Sequence, residues 1–508
     1  MKSDLVIVYH RQPYEEVETP QGIEYRENSS PNGIVPTLKG FLGRASRGAW
    51  VAWKEAADTS NPGFDPVVEI TDSFGTYNVS RLPLTREQVR SFYHVTSKEA
   101  FWPILHGFKE RYNYDPVDWP TFRRVNWAFA EAAAEQATDD AVIWVHDYNL
   151  WLVPGYLRQL KPDATICFFH HTPFPGPDMF NVLPWRGEIV ESLLACDSVG
   201  FHIPRYAQNF AAVARSLTGA RLVEDADTPP ALAAAGVALN DRVMPLRLDH
   251  KDRSVAIHTS PVGVNYDYIA GLAETPEVAA RVRDIRADLG DCRLCLSVSR
   301  TDYTKGNIEQ LEAFGRLLER RPEMRGKLRL MLVSVGANRN MTAYAEVQER
   351  IEALAGRING SYGSLEWQPV ALISTAIPLA QLVAYYRAAD FASITPLADG
   401  LNLVAQEFCA ARDPGFPGAL VLSEFAGCAV LLEGAIPVNP FSHASMDAGL
   451  DQALAMTQEE AASRMQALQR SAKSLDIGVW TETEMAHFRE LRAARAGVTP
   501  LPGARPAA

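Results

Sequence analysis

At 508 residues the chain exceeds what one ordinary core buries, and at roughly 100–200 residues per domain it holds two or three domains. Hydrophobic residues at 47% and charged residues at 22% describe a globular protein, while a net charge of −12 excludes a general phosphate-backbone binder. Any phosphate it takes must meet a local basic pocket, and nucleic acid is not an expected partner.

The first ten residues, Met1 to His10, carry an apolar run too short for a signal peptide, which reads as a first strand. Further strands are expected at 50–53, 141–145, 165–170 and 198–202, then at 294–298, 328–335, 391–395 and 419–423. Such short, continuously apolar runs suit parallel strands buried on both faces, and their alternation with amphipathic stretches is α/β patterning. Helices are expected at 207–217, 307–320, 344–355 and 402–411, with Tyr344, Val347, Ile351 and Leu354 on the core face of the third. No stretch approaches the roughly 18 apolar residues of a membrane span, so no membrane partner is expected. Six cysteines (Cys167, Cys196, Cys292, Cys295, Cys409 and Cys428) lie in apolar segments, which suits buried thiols in a reducing cytoplasm. Cys292 and Cys295 have a Cys-x-x-Cys spacing but neither a second pair nor a nearby histidine, and they read as structural.

The strand and helix rhythm breaks over 218–260, around Asp227-Thr-Pro-Pro, which places a domain boundary near 260. The Pro- and Ala-rich tail over 497–508 lacks periodicity and is expected to be disordered. In two doubly wound domains, ligands lie beyond the carboxyl ends of the strands, so the residues that follow each strand carry the chemistry.

Arg300-Thr-Asp-Tyr-Thr-Lys305-Gly306 follows one such strand and opens a helix. Helix N-terminal amides with two added cations read as an anion site, although a solvated surface pair is the plainer alternative. Asp399-Gly400-Leu-Asn402-Leu403-Val-Ala-Gln-Glu407 follows another. There Gly400 permits close backbone approach and residues 401–403 offer amides, although Asp399 as a capping acid and Glu407 as a surface charge is the plainer alternative. In the first half, strands lead into His146-Asp147 and into His170-His171. Their spacing fits no zinc pattern, so no metal is expected; His146 and His170 read as structural, and Asp147 and His171 as the better candidates for gripping a polar ligand.

Taken together, Trp144 to Tyr148, Phe168 to Pro175, Arg300 to Gly306, Ala355 to Gly360 and Asp399 to Glu407 resemble the trehalose-6-phosphate synthase family of retaining glycosyltransferases over roughly residues 1–490. The resemblance implies a GT-B fold, with two Rossmann-like doubly wound domains facing across a cleft. An acceptor-binding domain would span 1–260 and a nucleotide-sugar-binding domain 261–475, and a helix over 476–496 would return to the first. It also implies no cofactor beyond the sugar nucleotide. Arg300 and Lys305 would bind the diphosphate and stabilise the leaving group, Glu407 would hold the ribose, Asp399 and Gly400 the donor glucose, and the amides of Asn402 and Leu403 the diphosphate and sugar. His171 would stand at the reaction centre. Arg11, Tyr93, Trp102, Asp147 and Arg339 match the positions that hold a phosphorylated acceptor. Retention would proceed by same-face displacement, with Asp147 as a covalent nucleophile the minor alternative.

The chain departs from trehalose synthases near the acceptor, at Tyr9 to Tyr14, at Ser29 to Ile34 and at His170. These departures resemble the glucosylglycerol-phosphate-forming branch of the family in salt-tolerant bacteria. That branch implies ADP-glucose as donor, glycerol 3-phosphate as acceptor, a compatible-solute product and a cytoplasmic enzyme; the sequence leaves a homo-oligomer open. Glucose 6-phosphate as acceptor, and a sugar-nucleotide sensor without turnover, stand as alternatives.

Overall fold

The structure, a computed structural model, describes residues 2–20, 22–27, 33–234, 236–336 and 342–495. Residues 28–32 of the altered N-terminal loop, the acceptor candidate Arg339 and the 497–508 tail lie outside the described residues. The chain forms two compact units, one of Met1–Asp227, Val243–Pro261 and Gly478–Ala508, the other of Thr228–Arg242 and Val262–Ile477.

The first unit contains β1 (Ser3–Val8), a separate hairpin of β2 (Glu15–Thr19) and β3 (Gly22–Arg26), β4 (Gly48–Glu55), β5 (Val67–Asp72), β6 (Gly75–Leu84), β7 (Ala137–His146), β8 (Thr165–His170), β9 (Ser198–Phe201), β10 (Arg221–Asp227), β11 (Val243–His250) and β12 (Arg253–Thr259). Among the described residues ten of these strands form one sheet, in the order β10-β11-β12-β9-β8-β7-β1-β4-β6-β5. The sheet is parallel from β12 to β6 and antiparallel at its margins. Every residue of β8 is buried, as expected for a central parallel strand covered on both faces. From β1 the chain works outward through β4 and β6, and from β7 in the opposite direction through β8, β9 and β12. The order therefore reverses between β1 and β7.

The helix Ile477–Arg495 belongs to this unit from Gly478 onward. Trp480, Thr481, Glu484 and Phe488 recur at helical spacing and are its buried face. Trp480 lies 5.6 Å from the Trp144 ring and 5.2 Å from Phe41, and Phe488 lies 5.0 Å from Trp144. Glu484 brings a buried carboxylate with it, which meets His258 of β12 at 3.0 Å. His487 stacks on His258 at 4.2 Å and shares a 2.8 Å hydrogen bond with Ser198 of β9.

The second unit contains β13 (Arg293–Arg300), β14 (Leu328–Val335), β15 (Val370–Ile373), β16 (Phe391–Ile394), β17 (Ala419–Ser423) and β18 (Ile436–Val438). They form a fully parallel sheet in the order β15-β14-β13-β16-β17-β18. In chain order that is 3-2-1-4-5-6, the Rossmann arrangement, with its reversal between β13 and β16. The sequence places breaks near 260 and, through the resemblance, near 476, and the chain changes unit at 227/228, 242/243, 261/262 and 477/478. Residues 228–242 form the connection between β10 and β11, and their aperiodic Pro- and Ala-rich sequence carries no strand or helix signal that would assign them. The Ala234 amide donates to the Val430 carbonyl at 3.2 Å.

Burial pulls the His258 imidazole down, but the charge of Glu484 and its hydrogen bond outweigh this, so the folded pKa stands above 6.5. For a raised histidine the contribution to stability is complete below the unfolded value and fades as pH rises through the folded one. Amide exchange in Thr481–Phe488 is therefore expected to accelerate, beyond its intrinsic pH dependence, as pH rises above 6.5, and Glu484→Gln should abolish that excess. An excess that survives the substitution would remove the pair as the anchor.

Candidate functional site

Both sheet reversals carry the polar residues singled out from sequence. In the second unit β13 ends at Arg300, and the turn Tyr303–Lys305 leads through Gly306 into the helix Asn307–Arg320. Gly306 has φ +69°, and a Cβ there would stand 2.2 Å from the Thr395 carbonyl oxygen, so only glycine lets this loop lie against the end of β16. The Leu397 amide donates to the Thr304 carbonyl at 2.8 Å, which ties the loop after β16 to the loop after β13. Lys305 Nζ donates to Asp399 Oδ2 at 2.7 Å, and both side chains are largely buried. Arg300 remains exposed at the strand end.

Asp399 is held by its amide, which donates to the Phe425 carbonyl, and by its carbonyl, which accepts from the Gly427 amide. Asn402 has φ +79°, and its side chain caps the helix Leu403–Ala411 by accepting from the Ala405 amide at 3.1 Å while donating to Asp399 at 3.1 Å. The cap is thus Asn402, and Asp399 is half of an ion pair, which corrects the reading of Asp399 as a capping acid. Asn402 occupies the Ala405 amide, so the amides of Leu403 and Val404 remain as first-turn donors without intrahelical acceptors. Glu407, one turn further on, is 5% exposed and is not a surface charge. Tyr386 donates its hydroxyl to Glu407 Oε2 at 2.8 Å. Burial pushes the carboxyl up to about 7, against the pull of that hydroxyl. A buried carboxylate in this state is stabilised by any further hydroxyl donor.

In the first unit, Tyr9, His10 and Arg11 follow β1, and Asp147 follows β7 with φ +69°. Arg11 Nη2 donates to the Tyr93 hydroxyl at 3.4 Å, and the His10 ring stacks on Tyr93 at 5.4 Å. Asp147 is 8% exposed, and its Oδ1 accepts from the Tyr148 amide at 3.1 Å. Burial raises its carboxyl to about 6, opposed by the Tyr148 amide, the charge of Lys98, the His171 amide and the Thr172 hydroxyl. Of the three non-glycine residues at positive φ among the described residues, Lys251 lies in the turn between β11 and β12, and Asp147 and Asn402 lie at the two candidate sites, where such strain concentrates.

The histidines form a chain. His146 Nδ1 and His171 Nε2 share a hydrogen bond at 3.0 Å, and His171 Nδ1 and His202 Nε2 share another at 3.4 Å. Burial, followed by the mutual influence of His146 and His202, drives His171 well below its ordinary pKa, so it is neutral at physiological pH. His170 points elsewhere, with its Nδ1 2.9 Å from the Thr172 carbonyl oxygen. His146, expected to be purely structural, is thus the neighbour that fixes the His171 ring.

Arg11, Tyr93, Trp102 and Asp147 lie close together in the first unit, linked by Tyr148, whose ring is 5.9 Å from that of Trp102. Arg300, Lys305, Asp399, Gly400, Asn402, Leu403 and Glu407 gather around the β13/β16 reversal of the second. Sequence reasoning passed over Tyr386, His202 and Lys98. Lys98 lies on the segment Arg90–Phe101, a π-helix for which the sequence reading assigned no element.

With this geometry in place, comparison with known proteins gives the class. The chain matches the model of glycosyltransferase family 20 over residues 3–490, and it belongs to that family. It is 48% identical over 480 residues, 94% of this chain and 96% of the relative, to the glucosylglycerol-phosphate synthase of Synechocystis sp. strain PCC 6803. Against the trehalose-6-phosphate synthase of Mycolicibacterium smegmatis it is 36% identical over 482 residues, covering 95% of this chain and 91% of that protein. The crystal structure of the α,α-trehalose 6-phosphate synthase from Burkholderia multivorans superposes with a TM-score of 0.85 at 30% identity, covering 99% of this chain and 100% of that one. The fold is GT-B. Among the described residues no helix is long and apolar enough to cross a membrane.

Removing the Tyr386 hydroxyl removes the hydrogen bond that pulls the Glu407 carboxyl down. Tyr386→Phe should move the Glu407 midpoint above about 7, read as a protonated-carboxyl infrared band that persists to higher pH. An unmoved or lowered midpoint would contradict the assignment of that bond.

Proposed function

We propose that this glycosyltransferase moves glucose from ADP-glucose to glycerol 3-phosphate with retention of configuration, giving 2-O-(α-D-glucosyl)-glycerol 3-phosphate, a precursor of the compatible solute glucosylglycerol made in the cytoplasm. The observation that carries the choice of acceptor is the 48% identity over 94% of the chain to a named glucosylglycerol-phosphate synthase, against 36% to a trehalose-6-phosphate synthase. ADP-glucose as donor follows from the resemblance to the glucosylglycerol-forming branch.

In this reading the second unit holds the donor. Arg300 and Lys305 counter the diphosphate charge that a metal ion would otherwise meet, with the first-turn amides of Leu403 and Val404 as further donors. Lys305 exchanges its Asp399 partner for the diphosphate, which releases the Asp399 carboxylate to accept from glucose hydroxyls. Glu407 accepts from the two ribose hydroxyls. In the first unit, Arg11, Tyr93 and Trp102 hold the acceptor phosphate and Asp147 meets its hydroxyl. The bond between the glucose anomeric carbon and the diphosphate breaks, the acceptor oxygen bonds to that carbon on the same face, and the acceptor proton passes to the departing phosphate oxygen. The neutral His171 ring, fixed between His146 and His202, stands at the transferred glucose without adding charge.

The test pairs ADP-glucose or UDP-glucose with glycerol 3-phosphate or glucose 6-phosphate and quantifies the nucleotide and sugar products. Turnover is expected with ADP-glucose and glycerol 3-phosphate. Preference for glucose 6-phosphate would make the activity trehalose-6-phosphate synthesis, and absence of turnover with every pair would leave only a sugar-nucleotide sensor. Lys305→Ala should lower kcat by on the order of 10²-fold, as for the loss of a charge-stabilising donor. Because protonated Glu407 accepts less well, the donor KM should rise as pH falls through about 7, and Glu407→Gln should flatten that dependence.

A further inference from the structure

The segment Arg90–Phe101 is wound as a π-helix, with the Trp102 amide donating to the Ser97 carbonyl five residues back. The Thr96 and Ser97 hydroxyls likewise donate to the carbonyls of Ser91 and Phe92 at 2.9 and 2.8 Å, each five residues back. This winding decides which side chains meet. At about 3.6 residues per turn, an α-helix would set Tyr93 and Trp102, nine positions apart, on opposite faces. An i→i+5 helix completes close to two turns over the same nine positions, so Tyr93 and Trp102 share a face and Lys98 falls between them. The Lys98 ammonium stands 3.9 Å from the centre of the Trp102 ring, 5.7 Å from that of Tyr93 and 5.9 Å from that of Tyr148.

We propose that Lys98 is a phosphate ligand of the acceptor, paired with Arg11, and that the π-helix sets acceptor size by holding this cation beside Asp147. The inference rests on the acceptor reading above and deepens it. Arg11, hydrogen-bonded to Tyr93, and Lys98, stacked on Trp102, bring two cations to one aromatic-walled site, which matches a phosphate dianion. Aromatic faces fix the position of the ammonium, which preorganises it to meet an anion. The Trp102 Nε1–H, on a side chain 5% exposed, has no hydrogen-bond partner among the described residues and offers a further donor. Glycerol 3-phosphate keeps its phosphate two carbons from the hydroxyl that is glucosylated, so its phosphate ligand must lie near the residue that meets that hydroxyl. Lys98 satisfies this, since Tyr148 beneath it is the next residue after Asp147 and its charge favours ionised Asp147.

The test measures initial rates for Lys98→Met and Lys98→Arg with glycerol 3-phosphate varied at saturating nucleotide-glucose, and inhibition by inorganic phosphate competing with the acceptor. Lys98→Met should raise the acceptor KM about tenfold or more and weaken inorganic phosphate by the same factor. The donor KM should stay within about twofold, which also reports an intact fold, and Lys98→Arg should recover most of the loss. An acceptor KM and a phosphate inhibition constant both within about twofold of wild type would overturn the proposal, as would a parallel rise in the donor KM. If wild type instead uses glucose 6-phosphate, the acceptor reading fails. The same ratios measured with that acceptor then decide whether Lys98 binds phosphate.

Discussion

The candidate residues on the loops after β1, β7, β13 and β16 owe their place to one topological constraint. Where the strand order of a parallel sheet reverses, the connections from two neighbouring strands leave in opposite directions and open a crevice at the carboxyl edge. The six-stranded sheet reverses between β13 and β16 and the ten-stranded sheet between β1 and β7. Arg300, Lys305 and Asp399 stand at the first reversal, and Arg11 and Asp147 at the second, because they lie at the strand ends or on the loops that leave them.

At the β13/β16 reversal opposite charges meet. Lys305 and Asp399 form a largely buried pair, and Asn402 spends its amide on the same carboxylate. Such an arrangement keeps two costly charges compensated. Glu407 differs, since a carboxyl raised to about 7 with a tyrosine donor is poised to accept more hydrogen bonds. The first unit uses neutral imidazoles and strain instead, with His171 fixed between His146 and His202 and Asp147 held at positive φ.

The buried parallel strands were legible because continuous apolar runs leave few alternatives: 165–170, 328–335 and 419–423 coincide with β8, β14 and β17, and 307–320 with its helix. Strands with mixed burial escaped notice. β10 carries four charged residues among its seven along a mostly exposed edge, and β5 exposes three of its six residues, so neither forms an apolar run. The loops after the strands were legible through their motifs, but the partners of those motifs were not. That Lys305 meets Asp399, 94 positions away, or that Tyr386 meets Glu407, depends on strand order, which no local pattern encodes. Lys98 was hidden by a different cause, since it lies on a π-helix, whose side-chain spacing a 3.6-residue helical pattern does not match.

A crystal structure of the protein with its nucleotide-glucose donor tests the central claim most directly. The account predicts the diphosphate at the β13/β16 reversal within hydrogen-bonding distance of Arg300 and Lys305, the ribose on Glu407, and the bond between Lys305 and Asp399 broken or shared with the ligand. A donor seated elsewhere, with that ion pair intact and Glu407 bonded to Tyr386 alone, would contradict it.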